Sequence, residues 1–224
     1  MAKKKKIELS NTDLIAIRDN DKTYILNKGA KLYKEETYYQ SVEYYRLAAS
    51  MGDIKATSNL GYCYLYGRDI EINVDLAIAY FTIAANRGDI DANYKLGDIY
   101  SRDKWVKPDK ELALYYYENA IKCIINGSID DYKEIVYVDE LDEYPSLCFA
   151  VGREMFVGGD MNTNLMMSYQ FLKHAEIGYK REIDNGFDKY IESYNKVLDY
   201  LSKEEFSDAK AHYEDIIKNE WDEL

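Results

Sequence analysis

The sequence predicts an all-α fold, a right-handed α-α superhelix of about five helix hairpins. Three observations lead there. "GDIKATSNLGYCYLYG" (52–67) returns thirty-six residues later as "GDIDANYKLGDIYSRD" (88–103). Within each copy the apolar residues recur at helical spacing. Each copy is also bounded by residues that stop one helix and start the next.

The self-similarity extends past the quoted stretch. Ala56 maps to Ala92, Leu60-Gly61 to Leu96-Gly97, Tyr64 to Tyr100 and Ile70 to Val106. Ala77 maps to Ala113, Tyr80-Phe81 to Tyr116-Tyr117 and Ala84 to Ala120. The same interval backward reaches Tyr44-Tyr45 and Ala48-Ala49. A further copy comes after an insertion, with Val151-Gly152, Gly158, Ser168, Phe171-Leu172 and Ala175 in the matching places.

Each copy reads as two helices. Ala56, Leu60 and Tyr64 share one face of the first, and Ala77, Tyr80, Phe81, Ala84 and Ala85 one face of the second. Small and aromatic residues alternate there, so two axes can approach while rings fill the space beside them. Gly61 and Gly97 fall inside predicted helices, where Gly costs about 1 kcal/mol against Ala. Close contact with the paired helix is the expected compensation.

Punctuation agrees. Thr37, Asn73, Asp109 and Asn164 stand before the second helices as N-caps, with Thr37 and Gln40 forming a capping box. Pro108 marks the same boundary. Gly52 and Gly88 suit left-handed helix ends, and Asp53 and Asp89 cap the next helices along the chain. Ser202 and Glu205 read as a second capping box.

Bulk composition bounds the function. The chain has 224 residues, 24 of them tyrosine, and a net charge of -12. Such acidity argues against nucleic acid, which needs clustered Lys and Arg. The run Lys3 to Lys6 is the exception; it reads as a solvated tail, with a basic address or membrane-surface tether as the alternative. No apolar run is long enough to span a bilayer, and no apolar stretch comes after the lysines, so neither a membrane span nor a signal peptide is expected. Cys63, Cys123 and Cys148 have no metal-ligand spacing and read as reduced thiols of a cytoplasmic protein.

The pattern Ala-x3-Leu-Gly-x2-Tyr, then Gly, a hydrophobe and Asn or Asp, then Ala-x2-Tyr-Phe-x2-Ala-Ala-x2-Gly resembles the Sel-one-like repeat (SLR). That family is a relative of the tetratricopeptide repeat with a longer inter-helix turn. Residues 56–91 fit best and 92–127 well, although Asp103 and Trp105 replace the usual turn glycines, so that turn is expected to differ. Residues 147–179 are degenerate, having lost the Leu and one Ala. The spacing of Gly29, Ser41, Tyr45 and Ala48 resembles the plain tetratricopeptide form, as does that of Tyr200, Ala209, Tyr213 and Ile216. The expected organisation is a tail and short helix (1–19, containing "TDLIAIRD"), a repeat array (20–179) and a C-terminal capping pair (180–224). The array comprises repeats near 20–55, 56–91, 92–127 and 147–179, with an acidic insertion at 128–146. The insertion reads as a solvated acidic loop, or as a docking site for a basic partner.

Catalytic chemistry has little footing. His174 and His212 lack neighbours at ligand spacing and read as half-exposed helix positions. "GGD" at 158–160 maps onto an inter-helix turn, and Arg87-Gly88-Asp89 is explained as helix stop and start. No metal and no cofactor is expected. Secreted members of the family carry paired cysteines in each repeat; this chain lacks them, so the activities proposed for those members do not carry over.

The resemblance implies a concave wall of first helices that holds a peptide or helix of a partner protein. Carried over relative to the Gly of each Leu-Gly, the binding places are Lys55, Ser58, Tyr62, Leu65 and Tyr66, then Asp91, Tyr94, Asp98 and Arg102. The degenerate repeat adds Phe149, Arg153 and Phe156. The expected function is a non-enzymatic interaction scaffold, a monomer or weak homodimer with an unidentified protein or peptide partner. The alternative for the tyrosines is that they complete helix packing. The alternatives for the function are a hydrolase-type enzyme with a site in the wall or insertion, and a self-associating structural protein.

Overall fold

The computed structural model describes residues 7–127, 138–158 and 161–222. The Lys3–Lys6 run and most of the acidic insertion lie outside them. Among the described residues the α-helices are α1 (Asn11–Arg18), α2 (Lys22–Lys34), α3 (Tyr38–Ser50), α4 (Ile54–Tyr66), α5 (Val74–Ala85), α6 (Ile90–Ser101), α7 (Lys110–Ile125), α8 (Pro145–Gly158), α9 (Met161–Asp184), α10 (Ile191–Leu201) and α11 (Ser207–Asp222). The chain forms two compact units, Met1–Leu96 and Gly97–Leu224.

In the first unit α2 pairs with α3 and α4 with α5, while α3 also packs on α4. The short helix expected near the N-terminus is α1, which lies on α2. One cluster joins Ala16, Ile25, Tyr44, Ala48 and Ala56, and a second joins Val42, Tyr45, Leu60 and Cys63. Each cluster draws on successive hairpins, as stacked repeats require when no hairpin can bury its own apolar face. In the second unit α7 packs on α8, α8 on α9, and both α10 and α11 on the long α9.

The glycines inside helices explain how the hairpins close. A Cβ on Gly61 would lie 2.7 Å from the Phe81 ring, and one on Gly29 2.9 Å from the Tyr45 ring. On Gly97 it would collide with the Tyr117 ring, and on Gly152 it would come within 2.8 Å of Leu172. The separation of twenty residues holds for Gly61–Phe81, Gly97–Tyr117 and Gly152–Leu172. Beside these contacts the equivalent rings stack alike: Tyr64 on Tyr80 at 5.5 Å and Tyr100 on Tyr116 at 5.9 Å, each with an interplanar angle of 8°.

Punctuation recurs as well. Asp53 accepts from Ala56 N and Asp89 from Ala92 N, both at 2.7 Å, and Asn73 and Asp109 cap α5 and α7. Gly52 and Gly88 have φ of 85° and 83°, a region in which only Gly is unstrained. The inter-helix turns close with Asn73 N donating to Tyr64 O and Asp109 N to Tyr100 O. Asp103 and Trp105 therefore leave that closing bond intact.

Four expectations need correction. Thr37 is the N-cap of α3 but makes no capping hydrogen bond; its hydroxyl donates backward to Glu35 O, so the box with Gln40 does not form. Ser202 likewise donates to Asp199 O, at the end of α10 rather than the start of α11. Asn164 lies within α9, which begins at Met161. His174 is buried rather than half-exposed, with Nδ1 2.7 Å from Asp142 Oδ1. His212 is exposed.

The described end of the insertion is correspondingly anchored. A 3-10 turn over Asp139–Glu143 buries Leu141 and reaches α9, where Arg181 donates to Asp142 O. Gly178 admits that carbonyl, because any Cβ there would strike it.

A buried carboxylate ties α1 down. Asp13 is fully buried and accepts from Lys28 Nζ at 2.7 Å, from Ser10 N and Oγ, and from Tyr44 OH at 2.9 Å. Burial alone would raise its pKa. The bonds from Lys28, Ser10 and Tyr44 outweigh it and hold the carboxyl well below the usual range. With the folded pKa depressed, the stabilisation is complete above the unfolded value near about 4 and is lost as pH falls toward the folded one.

Asp13→Asn, which strands Lys28 without its counter-charge, should cost about 3 kcal/mol in urea unfolding at neutral pH. The gap to the unmodified protein should narrow as pH drops below about 4. Gly97→Ala should cost about 1–2 kcal/mol, the overpacking term reduced by the gain in helix propensity. Adding Tyr117→Leu should restore part of it, since the smaller side chain leaves room for the methyl; thermal unfolding reads both.

Candidate functional site

The predicted binding places separate by their angle around each first helix. At about 100° per residue, measured from the packing glycine, positions three before and four after it lie about 40–60° round. Positions six before, one after and five after lie about 100–140° round. The structure sorts them accordingly. Ser58 and Leu65, of the first group, are fully buried, so neither offers surface to a partner. Phe149 and Phe156, also of the first group, set their rings edge-on against Tyr200 of α10, at 5.8 and 5.7 Å. Phe156 further meets Phe206 at 5.1 Å. The C-terminal helices thus contact the two phenylalanines that the sequence offered to a partner and leave them half-buried.

Tyr94, the remaining member of the first group, is half-buried, and the second group ranges from half-buried to exposed. In the first unit Lys55 forms an ion pair with Asp91, thirty-six residues on, across α4 and α6. Tyr62 stacks on Tyr66 at 6.4 Å and 10°. Beneath, Tyr62 meets the edge of Phe81 at 4.9 Å. Lys95 Nζ stands 5.6 Å from both the Tyr62 and the Tyr94 ring centroids, so it spans the two helices. Tyr66 is 40% exposed, while Tyr62 and Tyr94 are half-buried. Burial, then the charges of Asp91 and neighbouring groups, push the Tyr62 phenol far above its ordinary value. Tyr62 is therefore a neutral hydrogen-bonding ring at any physiological pH.

In the second unit the equivalent places carry charge. Asp98 accepts from Tyr117 OH and from Arg102 Nη2, both at 3.0 Å, and Ser101 Oγ lies 3.2 Å from the same phenol. Arg153 pairs with Glu154 at 2.6 Å. Arg102 is exposed and Arg153 half-buried.

Sequence reasoning missed Lys95, Glu154 and Tyr200. Lys95 had a usable signal: it is two residues before Gly97, on the face turned toward the preceding first helix. Tyr200 had none, because the contact depends on how α10 docks.

Burial pushes the Cys63 thiol up to about 12 and the Cys148 thiol higher still. Among the described residues no group of three or more His, Cys, Asp and Glu could hold a metal ion. No helix among them is long and apolar enough to cross a membrane.

Comparison with known proteins places these hairpins. The family model described as Sel1 repeat matches residues 24–53, 54–89 and 90–123. These are the α2–α3, α4–α5 and α6–α7 hairpins; the second and third begin two residues ahead of the boundaries read from the sequence and the first begins four residues after, and the degenerate copy at 147–179 lies beyond them. No curated protein matches the chain. Among solved structures, a Sel1 repeat protein from Oxalobacter formigenes is 17% identical, with 94% of this chain and 91% of that one covered and a TM-score of 0.49. A protective antigen of uropathogenic Escherichia coli, described as displaying an SLR fold, is 15% identical, with 90% of this chain and 54% of that one covered and a TM-score of 0.47. Residues 24–123 thus match three successive Sel1 repeats.

Proposed function

We propose that this protein is a non-enzymatic adaptor that holds a segment of a partner protein on the first-helix face of its repeats, in the cytoplasm. One observation carries the reading. Tyr62, Tyr66 and Tyr94 gather on neighbouring first helices, with Lys95 against two of the rings and the Lys55–Asp91 pair at the rim. Tyr presents a large rigid area and a hydroxyl at low entropic cost, which is why it anchors interfaces. A bound segment would lay apolar side chains on the Tyr66 and Tyr94 rings and its main-chain groups near the phenol oxygens. Two other features support binding over catalysis: buried, poorly ionised thiols at Cys63 and Cys148, and charged groups already paired at Asp98 and Arg153. Three free thiols suit a reducing compartment.

Selection from a displayed peptide library should yield binders whose affinity for Tyr66→Ala/Tyr94→Ala is at least about tenfold weaker, a loss typical of interface anchors. Tyr62 is spared because its ring packs on Phe81. Peptides that bind this variant as tightly as the parent, at equal helicity, would remove the first-helix face from consideration.

A further inference from the structure

The net charge is distributed unevenly along the chain. Residues 1–123 hold 19 Lys and Arg against 18 Asp and Glu, whereas residues 124–224 hold 10 against 23. The Sel1 repeats are therefore close to neutral, and the acidity belongs to the chain on their C-terminal side. Also in that part, α9, α10 and α11 enclose an open cleft of about 340 Å³. Tyr169, Tyr213 and Leu198 form its apolar side, and Glu176 and Glu214 supply carboxylates.

Lys173 occupies part of this cleft. Its ammonium is paired with Glu176 and stands 5.8 Å from the Tyr213 ring centroid. That is a cation held between a carboxylate and an aromatic face, supplied by the protein itself. Lys210 is near Glu214 at 3.9 Å, but both are exposed, so that pair is worth little and is readily exchanged. Carboxylates act on both rings. Burial, then Glu214 and Glu176, push the Tyr169 phenol up to about 12, and burial, then Asp142 and Glu176, raise that of Tyr213. A cleft with low-dielectric walls inside an acidic region concentrates cations.

We propose that the cleft between α9, α10 and α11 is a second docking site, which takes an Arg- or Lys-rich segment of a protein partner. An incoming guanidinium displaces the Lys173 ammonium and takes its place between Glu176 and the Tyr213 ring. Aliphatic side chains of the segment cover Leu198. Lys173 acts as a placeholder that keeps the carboxylate paired until the partner arrives. The site shares no residue with the tyrosine face of the first unit, and the proposal does not depend on that face.

The test is fluorescence anisotropy with a labelled decapeptide alternating Arg and Leu, and a Glu-Leu decapeptide as counter-probe. The Arg peptide should bind and the Glu peptide should not. Glu176→Gln/Glu214→Gln should weaken binding at least about tenfold. Lys173→Met, which keeps the aliphatic stem and removes the competitor, should tighten it severalfold, and Tyr66→Ala/Tyr94→Ala should leave it unchanged. Far-ultraviolet circular dichroism checks that each variant keeps its helicity, and Lys173→Gln replaces Lys173→Met if it does not. The site is refuted by equal binding of both peptides, by undiminished binding to the glutamine variant, or by weaker binding when Lys173 is neutral.

Discussion

The contact between a helix-interior glycine and a bulky side chain of the paired helix is the constraint on which each hairpin depends. A methyl group at Gly29, Gly61 or Gly97 would enter a ring, and at Gly152 it would press on Leu172. Removing it lets the two axes close until the side chain fills the gap, and buried interiors tolerate little else. The ring also influences what the outer face can present. Where it is Phe81, the residue after the glycine is Tyr62, which meets the ring edge-on. Where it is Tyr117, the residue after the glycine is Asp98, which accepts the phenol hydrogen.

Periodic features were legible in the sequence because the periodicity is itself the packing. The thirty-six-residue interval gave the hairpins, and the glycines within helices gave the close approach. The features that were not legible depend on dihedral angles or on distant chain. Thr37 and Ser202 are the right residue types for caps, yet their hydroxyls turn to Glu35 O and Asp199 O instead. Local backbone geometry decides such competition. His174 is paired with Asp142, thirty-two residues away at the end of an insertion that breaks the repeat, so no repeat register could connect them.

The candidate face shows the same limit from another side. Transferring positions from one repeat to the next assumes that the rotation of each first helix is unchanged, and the Lys55–Asp91 pair supports that assumption. What a position transfer omits is which side of the helix the next hairpin covers. Places at about 40–60° from the glycine are hidden, as with Ser58 and Leu65, or in contact with α10, as with Phe149 and Phe156, while Tyr94 is half-buried on the first-helix face. Places at about 100–140° range from half-buried to exposed. The twelve predicted residues therefore differ in exposure, from Ser58 and Leu65, which build the stack, to Lys55, Tyr66, Asp91 and Arg102, which reach solvent.

Two hairpins depart from the common solution in an instructive way. Opposite Gly61 and Gly97, the second helices present Ala77 and Ala113, both fully buried. In the α2–α3 and α8–α9 hairpins the corresponding residues are Ser41 and Ser168, equally buried. Their hydroxyls donate to the carbonyls of Gly29 at 2.8 Å and Gly152 at 2.6 Å. A serine is nearly as small as alanine, so the axes still approach. Its buried hydroxyl, however, needs a partner, and the glycine carbonyl on the facing helix is in reach. These pairs acquire a polar link at the packing position itself, where an alanine offers only its methyl group. It accompanies departures from the best-matching repeat: a shorter inter-helix turn in α2–α3, and Leu172 in place of a ring in α8–α9.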